Sequence, residues 1–167
     1  MTLQQYLDTL PVGFKFFPTD EHLLFIYLRK KVNNEEPPNK TVLEVDLHTR
    51  DPSMLPDAAK LNSNGWYFTC RERREYGNED GINRATMTGF WKSTGNDETI
   101  VDKNTGDVGM KKTLVFYTNG SPDAVMTSWT MYEYRLQNPV DNNWVLCKVL
   151  DSSLPYEPPN PHDDIEE

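Results

Sequence analysis

The second half of the chain, from Gly65 onward, constrains the fold most, because it has the pattern of a series of β-strands. Aromatic and β-branched residues are concentrated in six short segments with Gly-, Asn- and Asp-containing turns among them: 66–70, 89–93, 99–102, 113–118, 128–136 and 144–150. Side chains alternate clearly in the last segment, as a half-buried strand requires. The sequence therefore predicts an antiparallel sheet over this half.

A helix is predicted before the sheet. Thr19 is a good N-cap, Asp20 and Glu21 lie in the first turn, an apolar run covers 23–28, and basic residues occupy 29–31. A short strand at 42–47 and a helical turn within 51–56 are also expected. The fold class is therefore α+β, a twisted antiparallel β-sheet flanked by a few helices.

The 167 residues, 37% of them hydrophobic, suit one domain with one core. We divide the chain into an N-terminal extension at 1–9, a domain at 10–150 and an acidic, proline-rich tail at 151–167 that is expected to be disordered. The formal net charge is −9, and the five acids of residues 154–167 leave −4 on the rest. An acidic body opposes binding to nucleic acid, because duplex DNA repels negative charge that is not segregated.

The sequence also argues against several classes of protein. Cys70 and Cys147 lie in apolar strand-like segments and are interpreted as reduced core residues, with a disulfide left open. The cysteines and the three scattered histidines are too few for a zinc site. Motifs for nucleophilic catalysis or phosphate binding are missing, so we expect no enzyme, cofactor or small-molecule substrate. The pattern of a leader or membrane span is likewise missing.

Residues 89–98, Gly-Phe-Trp-Lys-Ser-Thr-Gly-Asn-Asp-Glu, are the most informative for function. They predict a short strand ended by a Gly-Asn-Asp turn, with Trp91 buried and Lys92 facing solvent. An exposed strand edge with cations and hydroxyls suits a DNA groove, where phosphates accept from lysine and base edges contact polar side chains. The alternative is an ordinary solvated lysine on a strand.

This segment resembles the W-K-A-T-G signature of the plant NAC transcription factors. The opening from Leu10 to Leu23 is similar to the family's L-P-P-G-F-R-F-x-P-T-D-E-E-L. Further matches follow in order: E-V-D-L at 44–47, W-Y-F at 66–68, N-R-A-T at 83–86, V-G-M-K-K-T-L-V-F-Y at 108–117, W-T-M-Y-E-Y-R-L at 129–136 and W-V-L-C-K at 144–148. The resemblance covers about residues 10 to 150 and identifies the chain as a member of that family.

The resemblance implies a sheet packed between helices, a dimer built through the N-terminal arm, and an outer strand that enters the major groove of double-stranded DNA in the nucleus. The DNA-binding residues that it implies are Arg74, Arg84, Lys92, Ser93, Thr94, Gly95, Lys111 and Lys112. The dimerisation residues are Leu10, Pro11, Gly13, Phe14, Lys15 and His22. A surface salt bridge or simple solubility is the alternative role for the basic residues.

The chain departs from the family where the family is basic, at Glu75, Gly81, Glu98, Asp123 and Met126. Eight acids oppose eight basic residues between positions 66 and 115. Each lost phosphate contact removes roughly one unit from the slope of log affinity against log salt. We therefore expect weak DNA binding by the chain alone, or dependence on a more basic partner.

The dimerisation arm departs as well. Lys15 and His22 stand where the family pairs an arginine with a glutamate of the other subunit, and they cannot form a bidentate ion pair. The self-dimer is expected to be weakened unless apolar contacts suffice, or unless two His22 side chains stack or hydrogen-bond. His22 also replaces the glutamate of a capping box that starts at Thr19, which predicts loss of that box.

Two functions fit these features. The first is a sequence-specific DNA-binding transcription regulator that acts as a homodimer or heterodimer, with weakened autonomous affinity. The second is an interaction module that heterodimerises with other NAC proteins and modulates them without binding DNA tightly. The first is favoured by retained residues of the family pattern, Arg84, Lys92, Thr94, Lys111 and Lys112, whereas the acidic composition and the missing lysines favour the second.

Overall fold

A mixed β-sheet organises the fold. The computed structural model describes residues 18–38, 42–44, 51–55, 65–71, 84–86, 88–119, 124–137 and 143–153. In these ranges the sheet has seven strands in the order β1-β2-β7-β6-β5-β4-β3. Their bounds are β1 Leu43–Glu44, β2 Gly65–Arg71, β3 Arg84–Ala85, β4 Gly89–Val101, β5 Val108–Thr118, β6 Val125–Leu136 and β7 Trp144–Asp151.

Strands β4 to β7 form a meander in which each strand is antiparallel to the next, and β2 pairs antiparallel with β7. Only the short β1, among the strands described, pairs parallel to its neighbour β2. Together with one main helix, this arrangement confirms the predicted α+β class with an antiparallel sheet. The predicted strand at 42–47 is described only over β1, and the tail at 154–167 lies outside the described residues.

Helix α1, residues 20–32, confirms the predicted helix. It consists of α-helical turns at Asp20–His22 and Arg29–Val32 with a π-helical segment, Leu23–Leu28, between them. A 3-10 turn at Pro52–Met54 is the second helical element described. The apolar middle of α1 lies on the sheet, which is why its burial follows the run of hydrophobic residues seen in the sequence.

The start of α1 corrects one prediction. The Thr19 hydroxyl accepts from the His22 backbone N–H at 3.1 Å, and the Thr19 backbone N–H donates to His22 Nδ1 at 3.4 Å. The capping box is therefore present, and its predicted loss is wrong. An unprotonated imidazole nitrogen is an acceptor, so it performs the role of the expected glutamate.

The two faces of the sheet carry separate apolar clusters. On one face, Leu24 and Leu28 of α1 pack with Tyr67, Tyr134 and other buried residues. The helix approaches closely at Gly109, where an added Cβ would lie 2.7 Å from both methyl carbons of Leu24. The other face buries a second cluster: Leu55, Trp66, Phe68, Cys70, Trp91, Leu114, Phe116, Met131, Val145, Cys147 and Val149. The sheet is thus buried on both faces over its centre.

Both cysteines lie in the second cluster, as predicted for core residues. Cys70 and Cys147 are buried, and their sulfur atoms lie 3.9 Å apart, too far for a disulfide bond between them. In the part of the chain that the structure describes, no helix has the length and apolar character needed to cross a membrane.

Strand β4 corrects a second prediction. The segments expected at 89–93 and 99–102 form one strand of 13 residues, and the expected turn at 95–97 lies inside it. The pairing with β5 shifts register between Thr94 and Glu98, and Gly95 has a φ of +67°. Glycine tolerates this positive φ, which allows a bulge in β4. Four further pairs, from Glu98 to Val101, hold β4 and β5 together beyond the bulge, so the chain does not turn there. The chain reverses only after β4, before Val108.

Arg29 links the turn between β4 and β5 to α1. Its guanidinium donates to Asp107 Oδ2 at 2.6 Å and to Asp102 Oδ2 at 3.5 Å. The pKa of Asp102 is held below its usual value, first by the Asn104 backbone N–H, then by the Thr105 hydroxyl, with a smaller contribution from Arg29. The turn is therefore ordered mainly by its own hydrogen bonds, and Arg29 adds a link to the helix.

Replacing Arg29 by alanine is expected to lower the free energy of unfolding by about 1 kcal/mol, because two half-exposed ion pairs and the contact with the Phe25 ring are lost. Urea unfolding followed by circular dichroism measures this. Lys30→Ala on the same helix is the matched control and should change stability by less than about 0.5 kcal/mol. Equal losses in the two variants would contradict the role of Arg29.

Candidate nucleic-acid interface

The outer edge of β4 is the candidate surface. Strand β3 covers only its beginning, through the pairs Arg84–Trp91 and Ala85–Phe90. From Lys92 to Val101, no strand within the described ranges pairs with this edge. Backbone N–H and C=O groups along an unpaired edge are available to a ligand. The sheet therefore presents a ten-residue edge whose first members are the residues singled out in the sequence.

Alternation along β4 sorts its side chains as predicted. Trp91 points into the core, 1% exposed, with its ring 5.2 Å from that of Phe116. Lys92 points the other way and is exposed, with Nζ 5.9 Å from the centre of the Tyr117 ring. Lys92 takes part in no ion pair with another described residue. Its ammonium group is thus available on the surface.

The next residues of β4 follow the same alternation. Thr94 shares the face of Lys92, whereas Ser93 shares the face of Trp91, and both are half-buried. Gly95 is exposed and begins the bulge. Lys92 and Thr94 therefore lie together beside the open edge, while Ser93 lies on the opposite face of the strand.

Lys111 and Lys112 of β5, both predicted to bind DNA, contact carboxylates in the structure. Lys111 Nζ lies 3.1 Å from Asp20 and 4.4 Å from the centre of the Tyr132 ring, and its side chain is 16% exposed. Lys112 Nζ lies 3.7 Å from Asp97 of β4. Among the described residues, Lys92 therefore has no carboxylate partner, whereas Lys111 and Lys112 each form an ion pair within the chain.

Asp20 links α1 to β5 and β6, and it was not identified from the sequence as a contact residue. Its Oδ1 accepts from the Tyr134 hydroxyl at 2.6 Å, while Oδ2 faces Lys111. Burial, then the hydrogen bond to Asp20, raise the pKa of Tyr134 far above its usual value, so the phenol stays protonated and donates. Burial also lowers the pKa of the neighbouring Lys148. The sequence identified Asp20 only as an acid in the first turn of the helix and did not indicate its contacts with Lys111 and Tyr134.

The remaining predicted residues are placed as follows. The backbone of Arg84 lies in β3, directly opposite Trp91, while Arg74 lies outside the described residues. His22 is half-buried in the first turn of α1. The rest of the predicted dimerisation arm also lies outside the described residues, namely Leu10, Pro11, Gly13, Phe14 and Lys15.

Two of the five departures from the family's basic positions can be placed. Glu98 is exposed on β4, four residues after Thr94, and Met126 at the start of β6 is 63% exposed. Met126 pairs with Tyr117, whose ring stacks on Phe90 at 5.5 Å between centroids. An apolar patch thus borders Lys92, and Glu98 adds an exposed acid further along the same strand. Glu75, Gly81 and Asp123 lie outside the described ranges.

Comparison with known proteins gives one consistent family. The family model "No apical meristem (NAM) protein" matches residues 11–136. The chain is 43% identical over 156 residues to NAC domain-containing protein 92 of Arabidopsis thaliana, covering 88% of this chain and 54% of that protein. It is 42% identical over 160 residues to NAC domain-containing protein 4 of Oryza sativa subsp. japonica, covering 87% and 46%. It is 39% identical to NAC transcription factor 29 of Arabidopsis thaliana, covering 85% and 57%. The chain spans about half the length of these relatives.

Proposed function

Since the chain belongs to the NAC family of plant proteins, we propose that it regulates transcription in the nucleus by binding double-stranded DNA, as a dimer, with the outer edge of β4 in the major groove. The observation that carries this proposal is the edge of β4 from Lys92 to Val101, which no described strand covers, together with the exposed Lys92, which has no ion-pair partner among the described residues. The groove is about 12 Å wide and admits a helix or a β-ribbon.

The chemistry of β4 supports two kinds of contact. The Lys92 ammonium suits a phosphate, which gives affinity without reading sequence. The Thr94 hydroxyl and methyl groups suit a base edge or a thymine methyl group. Because Lys92 and Thr94 lie on one face beside the open edge, one strand insertion would present both.

Weak autonomous affinity follows from the distribution of charge. Lys111 and Lys112 are already paired with Asp20 and Asp97, so a phosphate would have to displace a carboxylate from each. Glu98 adds an exposed negative charge to the same strand. Few net phosphate contacts remain, and the affinity should therefore fall from a low starting value as salt rises.

The test is binding to a labelled duplex that contains the family's C-G-T-G type core, at low and near-physiological salt. We expect measurable, core-dependent binding at low salt and little at high salt. The double variant Glu98→Lys/Met126→Lys should bind roughly tenfold or more tightly, with a salt slope steeper by up to about two units. A duplex with a scrambled core is the control.

The outcomes separate the parts of the proposal. Failure of both proteins to bind at low salt would overturn DNA binding. Tight binding by the unmodified chain at near-physiological salt would overturn only the weakened affinity.

The second candidate is the interaction module, and the exposed apolar residues beside the stacked rings favour it. Met126 is 63% exposed and pairs with Tyr117, whose ring stacks on Phe90, and the preceding Val125 is 58% exposed. Such residues suit a protein surface better than a phosphate backbone. Mixing the chain with the DNA-binding domain of a more basic family member would then change that domain's DNA binding, and Met126→Lys would reduce the effect.

A further inference from the structure

Thr94 is followed by acids at the third and fourth positions, Asp97 and Glu98, and both are exposed. Protein kinases use the charge pattern around a hydroxyl residue to select substrates. An acidophilic Ser/Thr kinase, whose peptide groove is basic, recognises a hydroxyl residue with an acid three positions further on. The segment at 94–98 has that pattern on the candidate DNA-binding strand.

The structure separates Thr94 from other residues with the same spacing. In the described ranges, Thr69 has this spacing but is buried, and the acid that follows Thr130 is the buried Glu133. Thr99 precedes Asp102, whose carboxylate is occupied by the Asn104 N–H, the Thr105 hydroxyl and Arg29. Of these threonines, only the half-buried Thr94 is followed by two exposed acids: Asp97, which also contacts Lys112 at 3.7 Å, and Glu98.

The backbone at Thr94 is also accessible. Thr94 pairs with Thr113, whereas residues 95–97 form no register pair with β5, although the Asp97 side chain contacts Lys112. Within the described ranges no strand covers their outer side. Gly95, with a φ of +67°, lets this short stretch bulge out of the ladder. An extended segment with open backbone groups can be bound by a groove in the manner of an added strand, without unfolding the sheet.

We propose that Thr94 is a phosphorylation site for an acidophilic Ser/Thr protein kinase. Thr94 Oγ1 attacks the γ-phosphorus of ATP, the bond to the bridging oxygen of ADP breaks, and the hydroxyl proton passes to the kinase's catalytic base. The products are phosphothreonine and ADP. The residue gains a charge of about −1.5 to −2 at neutral pH.

The phosphate would act on Lys92. The two residues lie on the same face two positions apart, about 6 to 7 Å along the strand, so the long lysine side chain reaches the phosphate. Phosphorylation thereby pairs the Lys92 ammonium group with a phosphate of the same strand, so that it no longer binds DNA. It also adds negative charge that repels DNA. This consequence rests on the proposed function, whereas the phosphorylation site itself does not.

The first experiment treats the full chain with a purified acidophilic Ser/Thr kinase of the casein kinase type and ATP, and locates phosphate by peptide mass spectrometry. We expect a phosphoryl group on Thr94. Thr94→Val should abolish it, and the matched control Thr99→Val should retain it. Asp97→Asn/Glu98→Gln should slow it roughly tenfold or more, because the acids of the recognition pattern are lost.

Circular dichroism shows whether the variants fold. No phosphate on the unmodified chain, phosphate only at other residues, or an unchanged rate without the acids would each overturn the site.

The second experiment compares DNA binding before and after phosphorylation at low salt. The phosphorylated chain should bind at least roughly tenfold more weakly. The effect should be smaller on a Lys92→Ala background, as a double-mutant cycle would show. Equal binding by both forms would overturn the consequence for DNA. If the unmodified chain does not bind DNA at all, the proposed function fails while the mass measurement still decides the phosphorylation site.

Discussion

Replacing Lys92 by glutamate is expected to lower the affinity of the chain for duplex DNA at least roughly tenfold at low salt, and to reduce the salt slope by about one unit or more. The reason is that Lys92 is exposed beside the open edge of β4 and lacks an ion-pair partner among the described residues, whereas Lys111 and Lys112 are paired with carboxylates. Fluorescence anisotropy at several salt concentrations measures both quantities.

The matched control is Lys103→Glu, which makes the same change of charge at an exposed residue between β4 and β5. Lys103→Glu should weaken DNA binding far less, because Lys103 lies beyond Val101, at the other end of β4 from Lys92 and Thr94. At that separation its charge has only a screened, long-range effect. Both variants should unfold at the same urea concentration as the original chain. Equal loss of DNA affinity in the two would mean that net charge, and not the position of Lys92, governs binding.

Replacing Asp20 by alanine is expected to lower the free energy of unfolding by about 2 to 3 kcal/mol. Asp20 accepts a hydrogen bond from the Tyr134 hydroxyl at 2.6 Å and forms an ion pair with Lys111 at 3.1 Å. Both of these partners have little access to water. Removing the carboxylate leaves a buried hydroxyl and a largely buried ammonium group without their partner. A buried polar group that has lost its partner destabilises the folded state by more than the hydrogen bond had stabilised it. Urea unfolding followed by circular dichroism measures the change.

Two variants give this prediction its controls. Glu21→Ala removes the adjacent, exposed acid of the same helical turn and should change stability by less than about 0.5 kcal/mol. Asp20→Asn retains an acceptor for Tyr134 but loses the charge opposite Lys111, so its effect should be intermediate. If Glu21→Ala destabilised the chain as much as Asp20→Ala, the helix dipole, and not the internal contacts, would explain the loss.

Local patterns in the sequence predicted much of the fold. The N-cap at Thr19 and the acids and bases at the two ends of α1 place the helix correctly, because these effects act within one turn. The opposite orientations of Trp91 and Lys92 follow from the period of two along a strand. The family itself was identified from ordered motifs, and the comparisons confirm it.

The errors share a different origin. Gly95 in a Gly-Asn-Asp context has the pattern of a turn, but cross-strand pairs from Glu98 to Val101 continue β4 beyond it. His22 lacks the carboxylate of the usual capping box, yet its ring nitrogen accepts the same hydrogen bond. In both cases the residue type is compatible with more than one local structure. The group that the residue meets in the folded chain decides which of these structures forms.

The sequence by itself determined the fold class, the position of α1, the alternation along β4 and the family. Only the tertiary structure decided which lysines have a free charge. Lys111 and its partner Asp20 are 91 positions apart, and Arg29 lies 78 positions from Asp107. Periodicity and capping act over a few residues, so they can be read along the chain, whereas ion pairs depend on distances in space that arise only when the sheet brings remote segments together.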